Sequence, residues 1–305
     1  MRSVVIRGPS DFGVFEVDSP LPGPDELLIH PLYAGICGTD LELLDGSMLY
    51  LREGRATHPV YPGHEWVGEV VAQGSNVSGF SPGDLVVGEV SMGCQHCALC
   101  SAGHYHRCEQ RHEVGLFGVA GALREEMVFP ARAAHLVPPG VDPRDAAMTE
   151  PLAVAYQSVR KAGLVSGQQV LIVGVGTIGM LQGLVAGAVW GAEVFVASDN
   201  PRRADIALSL GLQIHQPGQT YPRIIEAAGS AQAIIDALNA LEPGGRLILT
   251  GLTGKERVGV PTDQIVARDQ EISGSLGSPG VWPDVLELLK SHAVRPSELV
   301  THEFD

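Results

Sequence analysis

The feature that most constrains the fold of this chain is an apolar strand that runs directly into a glycine-rich turn. Residues 170–173 read VLIV, and the turn GVGTIG at 174–179 leads into an apolar-periodic stretch that predicts a helix. In such a unit the first glycine permits a tight turn, the second lets a phosphate approach the backbone, and the third allows the helix to pack closely on the strand. The motif predicts a Rossmann-type dinucleotide site. The expected cofactor contacts are Gly174, Gly176, Thr177, Ile178 and Gly179.

The chain beyond residue 143 alternates between helical and strand patterns. Apolar-periodic stretches at 145–161 and 178–190 predict helices, and apolar runs at 170–173 and 194–197 predict strands. Such alternation is typical of βαβ units that build a parallel sheet covered by helices. We therefore expect a doubly wound cofactor domain over residues 143–290. Its remaining elements are predicted as strands at 223–227, 246–250 and 271–274 and as helices at 231–241 and 281–291.

Residues 1–142 have a different pattern. Short aliphatic runs, such as VVI at 4–6 and LVV at 85–87, are separated by Gly and Pro turn signals. This pattern predicts a mostly antiparallel β domain. A chain of 305 residues is long enough for two domains of ordinary size, and 45% hydrophobic residues are enough to give each a core. The expected fold class is therefore α/β, with one antiparallel β domain and one parallel-sheet domain.

Four of the five cysteines lie in one short loop, at Cys94, Cys97, Cys100 and Cys108. Their clustering and the odd total disfavour a secreted disulfide framework. Zinc prefers four soft ligands in a tetrahedral arrangement, and a loop of this spacing supplies them without regular secondary structure. Because all four positions are cysteine, none remains for water or substrate, so we expect a structural zinc ion. An iron–sulfur cluster and four unliganded cysteines are the less favoured alternatives.

The fifth cysteine belongs to a second pattern. The segment GICGTD at 35–40 contains Cys37, and GHEWVG at 63–68 contains His64 and Glu65, with Gly74 and Val77 at fixed offsets beyond it. Each of these residues alone would more often be structural. Together they resemble the zinc signature of the medium-chain dehydrogenase family, and the four-cysteine loop stands where that family keeps its structural zinc. The resemblance extends over nearly the whole chain.

The resemblance implies a GroES-like catalytic domain with a catalytic zinc. In it Cys37 and His64 would be zinc ligands, Glu65 a ligand or an immediate neighbour, and Glu150 the remaining protein ligand; sulfur, imidazole and carboxylate together suit zinc. Zinc bound to an alcohol oxygen lowers its pKa, so the alkoxide can release hydride to a nicotinamide ring. Thr39 would take the hydroxyl proton. Many relatives have a histidine where this chain has Glu42, so the route of the proton to solvent is left open.

Glu150 also bears on the substrate. Simple alcohol dehydrogenases of the family have a cysteine at this position, whereas the pair Glu150-Pro151 resembles the sorbitol, threonine and sugar-alcohol branch. The resemblance thus implies an oxidoreductase that interconverts a secondary alcohol of a polyol, sugar alcohol, cyclitol or amino alcohol with its ketone. One alternative is an inactive relative that binds cofactor and zinc. Another, a zinc-ribbon binding module, would explain only the four-cysteine loop.

The choice between NAD and NADP rests on the end of the second predicted strand. Asp199 stands twenty residues after the last motif glycine, where a carboxylate would bind the adenosine ribose and favour NAD. Alignment backwards from the Leu-Gly pair at 210–211 instead places Ser198 at the acidic position, with Arg202 and Arg203 near a ribose phosphate, which favours NADP. Both cofactors remain open. The residues expected to decide are Ser198, Asp199 and Arg203.

Composition excludes some partners. The 20 basic and 35 acidic residues give a net charge of −15, which repels nucleic-acid phosphates and anionic lipid headgroups. Met1 to Ser10 lack the apolar core of a signal peptide, and no stretch reads as a membrane span. We expect a cytoplasmic enzyme of small-molecule alcohols and ketones, with the homodimers or homotetramers usual among relatives. Because relatives continue beyond an element like THEF at 301–304, residues 291–305 are expected to begin a truncated return to the catalytic domain.

Overall fold

The computed structural model describes residues 1–254 and 257–304. They form two compact units, the first made of Met1–Glu150 with Gly277–Val300, the second of Pro151–Leu276 with the residues from Thr301 onward. The predicted bounds, 1–142 and 143–290, differ from these units in residues 143–150 and 277–290, which both associate with the first unit. No helix within the described ranges is long and apolar enough to cross a membrane.

The first unit is built on a five-stranded antiparallel sheet. Its strand order is β10-β5-β4-β3-β9, beside the hairpin β1-β2 and a small sheet of β6, β7 and β8 in which β7 and β8 run parallel. The strands are β1 (Arg2–Gly8), β2 (Asp11–Glu16), β3 (Glu26–Gly35), β4 (Glu65–Gln73), β5 (Leu85–Gly88), β6 (Ser91–Met92), β7 (His112–Val114), β8 (Gly118–Val119), β9 (Met127–Pro130) and β10 (Ala134–Leu136). The helices are α1 (Gly38–Asp45), α2 (Leu49–Arg52), α3 (Ala98–Ser101) and α4 (Pro143–Ala147).

Alternating side chains of this sheet form the core of the first unit. Leu27 and Ile29 of β3 and Met127 and Phe129 of β9 are fully buried, because period-two alternation directs them to the same face. Trp66 joins them through an edge-to-face contact with Phe129, at 5.1 Å between ring centroids. The antiparallel β prediction for this part of the chain is confirmed, and its buried face fixes the register of β4, which begins at Glu65.

The second unit contains a six-stranded parallel sheet. Its order is β13-β12-β11-β14-β15-β16, and each pairing is parallel, as the alternating sequence pattern predicts. The strands are β11 (Gln169–Val173), β12 (Glu193–Ala197), β13 (Gln213–Ile214), β14 (Tyr221–Glu226), β15 (Leu241–Leu249) and β16 (Glu271–Gly274). The helices are α5 (Thr149–Ala162), α6 (Thr177–Trp190), α7 (Pro201–Ser209), α8 (Ala231–Ala240) and α9 (Thr262–Ala267). Chain order reverses about β11, which has β12 on one side and β14 on the other.

Two helices differ from their sequence-based predictions. The single helix expected over 145–161 is two helices, α4 and α5, separated at Met148. The start of α4 is set by Asp142, whose side chain accepts a hydrogen bond from the Arg144 N–H, and by Pro143 in the first turn. The helix expected at 281–291 is α10 (Trp282–Lys290), which lies in the first unit, where Trp282 stacks on His135 at 5.3 Å.

Helix α6 provides a matched test of close backbone packing. A Cβ added at Gly179 would collide with the Gly174 carbonyl oxygen, whereas a Cβ added at Gly187, in the same helix, meets nothing within 4 Å. We expect Gly179→Ala to destabilise the protein by roughly 1–3 kcal/mol. Gly187→Ala should stabilise it by about 0.5–1 kcal/mol, because alanine is the better helix former. Thermal unfolding of both variants measures this, and equal shifts would contradict the packing argument.

Candidate metal and cofactor sites

The four-cysteine loop has the geometry of a tetrahedral thiolate site. All four sulfur atoms lie within 4.8 Å of one another, with 3.9 Å between Cys94 and Cys100 and 3.8 Å between Cys97 and Cys108. A zinc ion with Zn–S bonds of about 2.3 Å requires sulfur–sulfur distances of about 3.8 Å. All four cysteines are free thiols. The donor set and its spacing therefore fit zinc.

Local backbone features bring these sulfurs together. Cys97 caps α3, and its sulfur accepts the Cys100 N–H at 3.5 Å. Gly93 must be glycine, because a Cβ there would collide with the Cys100 sulfur. Hydrogen bonds lower the pKa of the Cys94 thiol to about 6, and the largest contribution comes from the main-chain N–H of His96. Burial raises the pKa of the Cys100 thiol to about 11. A bound cation would favour the thiolate form of both.

The structure also brings Cys37, His64 and Glu65 together. One donor atom from each lies within 4.8 Å of the others. Cys37 precedes α1, while Glu65 is the first residue of β4 and pairs with Gly35 at the end of β3, so two adjacent strand ends deliver the cluster. A side chain at Gly35 would collide with the Glu65 carboxylate. Sulfur, imidazole and carboxylate at this separation form a donor set that suits zinc.

The buried imidazole of His64 lacks a hydrogen bond that burial normally demands. His64 is 5% exposed, and its Nδ1 has no hydrogen-bond partner in the described part of the chain. Burial raises the pKa of the Cys37 thiol and of the Glu65 carboxyl, because both are anionic when ionised. Metal binding would stabilise these ionised forms. The donor types of the cluster and their separation therefore fit a metal ion.

Asp40 ties the two ligand segments to each other, a role that sequence reasoning missed. Its carboxylate accepts the Cys37 N–H at 2.9 Å and the Gly63 N–H at 3.4 Å, and its Oδ1 lies 3.8 Å from His64 Nδ1. The side chain is 7% exposed. The signal was present in the sequence, because an aspartate three residues after a helix start commonly accepts the N–H of the capping residue.

Glu150 lies outside the group of three close donors. It stands in the first turn of α5, and desolvation raises its pKa to about 8; the charge of His64 opposes this rise, while those of Glu65 and Glu113 add to it. These charges show that Glu150 is a neighbour of the cluster. Its predicted role as a direct zinc ligand stays a prediction, and so does that of Glu65.

Thr39, the predicted acceptor of the hydroxyl proton, lies on α1, and so does Glu42, which stands where many relatives have histidine. The Thr39 hydroxyl is 3.8 Å from the Cys37 sulfur. Glu42 follows three residues later, which places it on the same face of the helix. Burial and the nearby Asp45 raise the pKa of Glu42, while Arg52 opposes the rise.

The glycine-rich turn has the form required for phosphate binding. Gly174 has φ +99° and packs against Ala228, which closes the tight turn after β11. Gly176 caps α6, and a Cβ there would meet nothing within 4 Å, so the space over the helix start is open. No side chain caps α6, so the N–H groups of its first turn, which contains Thr177, Ile178 and Gly179, can face an anion. The residues present fit a dinucleotide.

The residues predicted to meet the adenosine ribose lie just beyond β12. The Ser198 hydroxyl accepts the Asn200 N–H at 3.1 Å and so shapes the turn into α7. Asp199 and Arg203 are both exposed, Asp199 immediately after Ser198 and Arg203 in the first turn of α7. Carboxylate and guanidinium therefore stand at the same strand end, and their opposite charges leave both cofactors possible.

An antiparallel β unit with two zinc-type donor sets, followed by a Rossmann-type sheet with a phosphate-binding turn, defines a zinc- and nicotinamide-dependent dehydrogenase. Residues 23–139 match the alcohol dehydrogenase GroES-like domain, and residues 177–291 match the zinc-binding dehydrogenase family. The chain is 32% identical to an erythritol/L-threitol dehydrogenase from Mycolicibacterium smegmatis, over 100% of this chain and 91% of that protein. It is also 32% identical to an L-threonine 3-dehydrogenase from Alteromonas mediterranea, over 100% of this chain and 93% of that protein.

Solved structures agree with this assignment. An alcohol dehydrogenase from Escherichia coli CFT073 in complex with NADH superposes with a TM-score of 0.91 at 26% identity, covering 100% of this chain and 92% of that one. A zinc-binding dehydrogenase from Sinorhizobium meliloti 1021 bound to NADP gives a TM-score of 0.89 at 28% identity, covering 96% of this chain and 89% of that one. The chain belongs to the zinc-dependent medium-chain dehydrogenase family. The predictions of family, fold class, enzyme class and zinc with NAD(P) as cofactors are confirmed.

Asp40 and Asp45 provide a test within one helix. Both are acidic residues of α1, but only Asp40 is buried, next to Cys37 and His64. We expect Asp40→Asn to weaken zinc binding at the catalytic site by roughly 10–100-fold, because it perturbs a group that orients two ligand segments. Asp45→Asn should leave zinc binding unchanged. Zinc retained after dialysis against a graded chelator measures the effect, and equal retention by the two variants would refute the role of Asp40.

Proposed function

We propose that this enzyme oxidises a secondary alcohol of a polyol or sugar alcohol to its ketone with NAD or NADP, and catalyses the reverse reduction. The observation that carries the proposal is the cluster of Cys37, His64 and Glu65, accompanied by Glu150 where simple alcohol dehydrogenases have cysteine. The similarity to an erythritol/L-threitol dehydrogenase supports a polyhydroxylated substrate. Amino alcohols are the second candidate, supported by the equally similar L-threonine 3-dehydrogenase.

In this proposal the protein residues hold the metal and move the proton. Cys37 and His64 hold the catalytic zinc, with Glu65 and Glu150 as carboxylate ligands or neighbours, and Cys94, Cys97, Cys100 and Cys108 hold the structural zinc. When bound, the catalytic zinc polarises the alcohol oxygen and the nicotinamide accepts the hydride. Thr39 accepts the hydroxyl proton; the 3.8 Å distance between its hydroxyl and the Cys37 sulfur supports this role. Glu42, one turn further along α1, passes the proton towards solvent.

Cofactor binding is assigned to the first turn of α6 and the strand end after β12. The N–H groups of residues 177–179 receive the pyrophosphate, and Gly176 keeps the approach open. Asp199 or Ser198 receives the ribose hydroxyls, while Arg203 favours a ribose phosphate. The predicted cytoplasmic location and the absence of nucleic-acid and membrane partners stay predictions from composition.

We further propose a homodimer or homotetramer. Among the described residues, strand β16 ends the parallel sheet with one unpaired edge, and Leu252, Val266 and Leu276 in the same unit are exposed apolar side chains. Unpaired edges beside exposed apolar groups are sites where sheets associate. A second copy of this chain would cover both features.

The activity itself is tested with the zinc-loaded protein. We expect reduction of NAD or NADP with erythritol, threitol or sorbitol, and a higher kcat/KM for these polyols than for 1-butanol. His64→Ala should lower activity by more than about 100-fold, since it removes a metal ligand rather than a supporting group. His302→Ala, on an exposed residue, is the matched control. Absence of turnover with any alcohol, despite two bound zinc ions, would favour the inactive relative that binds cofactor and zinc.

The cofactor preference follows from charge. Asp199→Ala should shift the ratio of kcat/KM values towards NADP, because it removes a charge that repels the ribose phosphate. Arg203→Ala should shift the ratio towards NAD, because it removes a charge that attracts that phosphate. Each shift is expected to be roughly tenfold, equivalent to about 1.4 kcal/mol. If neither variant changes the ratio, the ribose is held elsewhere and the assignment of this strand end is wrong.

A further inference from the structure

A buried ion pair lies next to the four-cysteine loop in the chain. Arg111 Nε and Glu113 Oε1 are 2.6 Å apart, and each side chain is 6% exposed. A second guanidinium nitrogen of Arg111 donates to the Tyr50 hydroxyl at 3.0 Å, and the guanidinium stands over the rings of Tyr50 and Phe117. The guanidinium charge is paired with Glu113, and the guanidinium also contacts two aromatic rings. These contacts fix the position of Arg111 more firmly than that of an arginine on the surface.

Arg111 is attached to the structural metal loop. Its main-chain N–H and its Nη1 both donate to the Cys108 carbonyl, at 3.2 and 3.4 Å. Cys108 is the most buried of the four cysteines, at 1% exposure. Movement of Cys108, such as loss of its metal would allow, therefore acts on Arg111 directly.

Glu113, the ion-pair partner of Arg111, connects it to the cluster of Cys37, His64 and Glu65. Glu113 lies in β7, and its N–H bonds the Phe117 carbonyl in the tight turn between β7 and β8. That turn contains Gly115, which lies so close to Gly63 that an added Cβ would be 3.0 Å from the Gly63 nitrogen. Gly63 immediately precedes His64, and its N–H is one of the two held by Asp40. The turn between β7 and β8, called the Glu113 turn, is thus packed against Gly63, the residue that precedes the proposed ligand His64.

We propose that Arg111 is a positioning residue that couples the structural metal loop to the catalytic metal cluster. It links the Cys108 carbonyl to the Glu113 turn through two different nitrogens of one rigid guanidinium, Nη1 and Nε. With the structural zinc bound, the loop holds Arg111, and Arg111 holds the turn against Gly63 and His64. This inference rests on the two metal sites of the proposed function, and it gives the structural zinc a role in the stability of the catalytic one.

A double-mutant cycle tests the coupling, with zinc as the probe and the rate of zinc release to a chromogenic chelator as the readout. The four proteins are the wild type, Cys94→Ser, Arg111→Met and the double variant. Cys94→Ser disrupts the structural site at a ligand with no hydrogen bond or ion pair to Arg111. We expect it to speed release of catalytic zinc roughly tenfold in the wild-type background. In the Arg111→Met background the same substitution should have no further effect, because the link is already broken.

An equal fold-change from Cys94→Ser in both backgrounds would overturn the proposal. So would Arg111→Met lowering the Tm while leaving zinc release as in the wild type, since that is the result expected of a packing residue. Arg111→Met leaves Glu113 buried without its partner, so the variant Arg111→Met with Glu113→Gln replaces it if the single variant fails to fold. If Cys94→Ser fails to fold, Cys100→Ser is used in its place.

Arg111→Lys keeps the charge without the planar fork and should behave like Arg111→Met. Arg246→Met, which breaks a half-exposed ion pair with Glu271 in the second unit, should leave zinc release unchanged. Zinc release requires no turnover, so the cycle gives a result even if no alcohol is oxidised. Failure of the coupling and failure of the proposed activity are therefore separate outcomes.

Discussion

The catalytic cluster depends on one buried carboxylate. Cys37 and His64 are far apart in the chain, and each follows a strand or turn that would hold it at its own angle. Asp40 accepts N–H groups from both segments, so a single group fixes the distance between them. A buried carboxylate that receives two backbone N–H groups is well compensated, and its removal would leave those donors without a partner. Asp40 therefore helps to set the arrangement of the proposed metal ligands.

Close backbone contacts supply the rest of this arrangement. Gly63, which precedes His64, lies against the backbone of residues 121–123, and the Ala122 N–H bonds its carbonyl at 2.8 Å. A side chain at Gly68 would collide with Ile29, and one at Gly74 with the Gly23 carbonyl. The glycines of the zinc signature are therefore steric requirements of the antiparallel pair of β3 and β4 and its neighbours. They make the His64 segment rigid where its ligand must be placed to within a fraction of an ångström.

Short-range patterns predicted what is local, and tertiary contacts decided the rest. The strand-turn-helix unit at 170–190, the parallel sheet and the four-cysteine loop were predictable because each is encoded by spacing within one segment. Asp142 and Pro143 indicated where α4 begins, but the apolar periodicity continues through Met148. The sequence therefore predicted one helix where the structure has α4 and α5. The association of residues 277–290 with the first unit was not predictable, because the stacking of Trp282 on His135 joins positions far apart in sequence. The contact between Arg111 and Tyr50 was missed for the same reason, whereas Cys108 and Glu113 are near Arg111 in sequence but show no spacing pattern that indicates their contacts.

The charge balance of the first unit connects these observations. Five side chains that are anionic when ionised lie in one largely buried region, where isolated charges are unfavourable: Cys37, Asp40, Glu65, Glu113 and Glu150. Arg111 compensates Glu113, and two N–H groups compensate Asp40. Cys37, Glu65 and Glu150 retain raised pKa values, so the protein alone does not supply the charge that would ionise them. A bound divalent cation would favour the ionised forms of these three groups. Because protein groups compensate Asp40 and Glu113, we assign these two carboxylates to holding the ligand segments, and we leave the proposed catalytic zinc to Cys37, His64, Glu65 and Glu150.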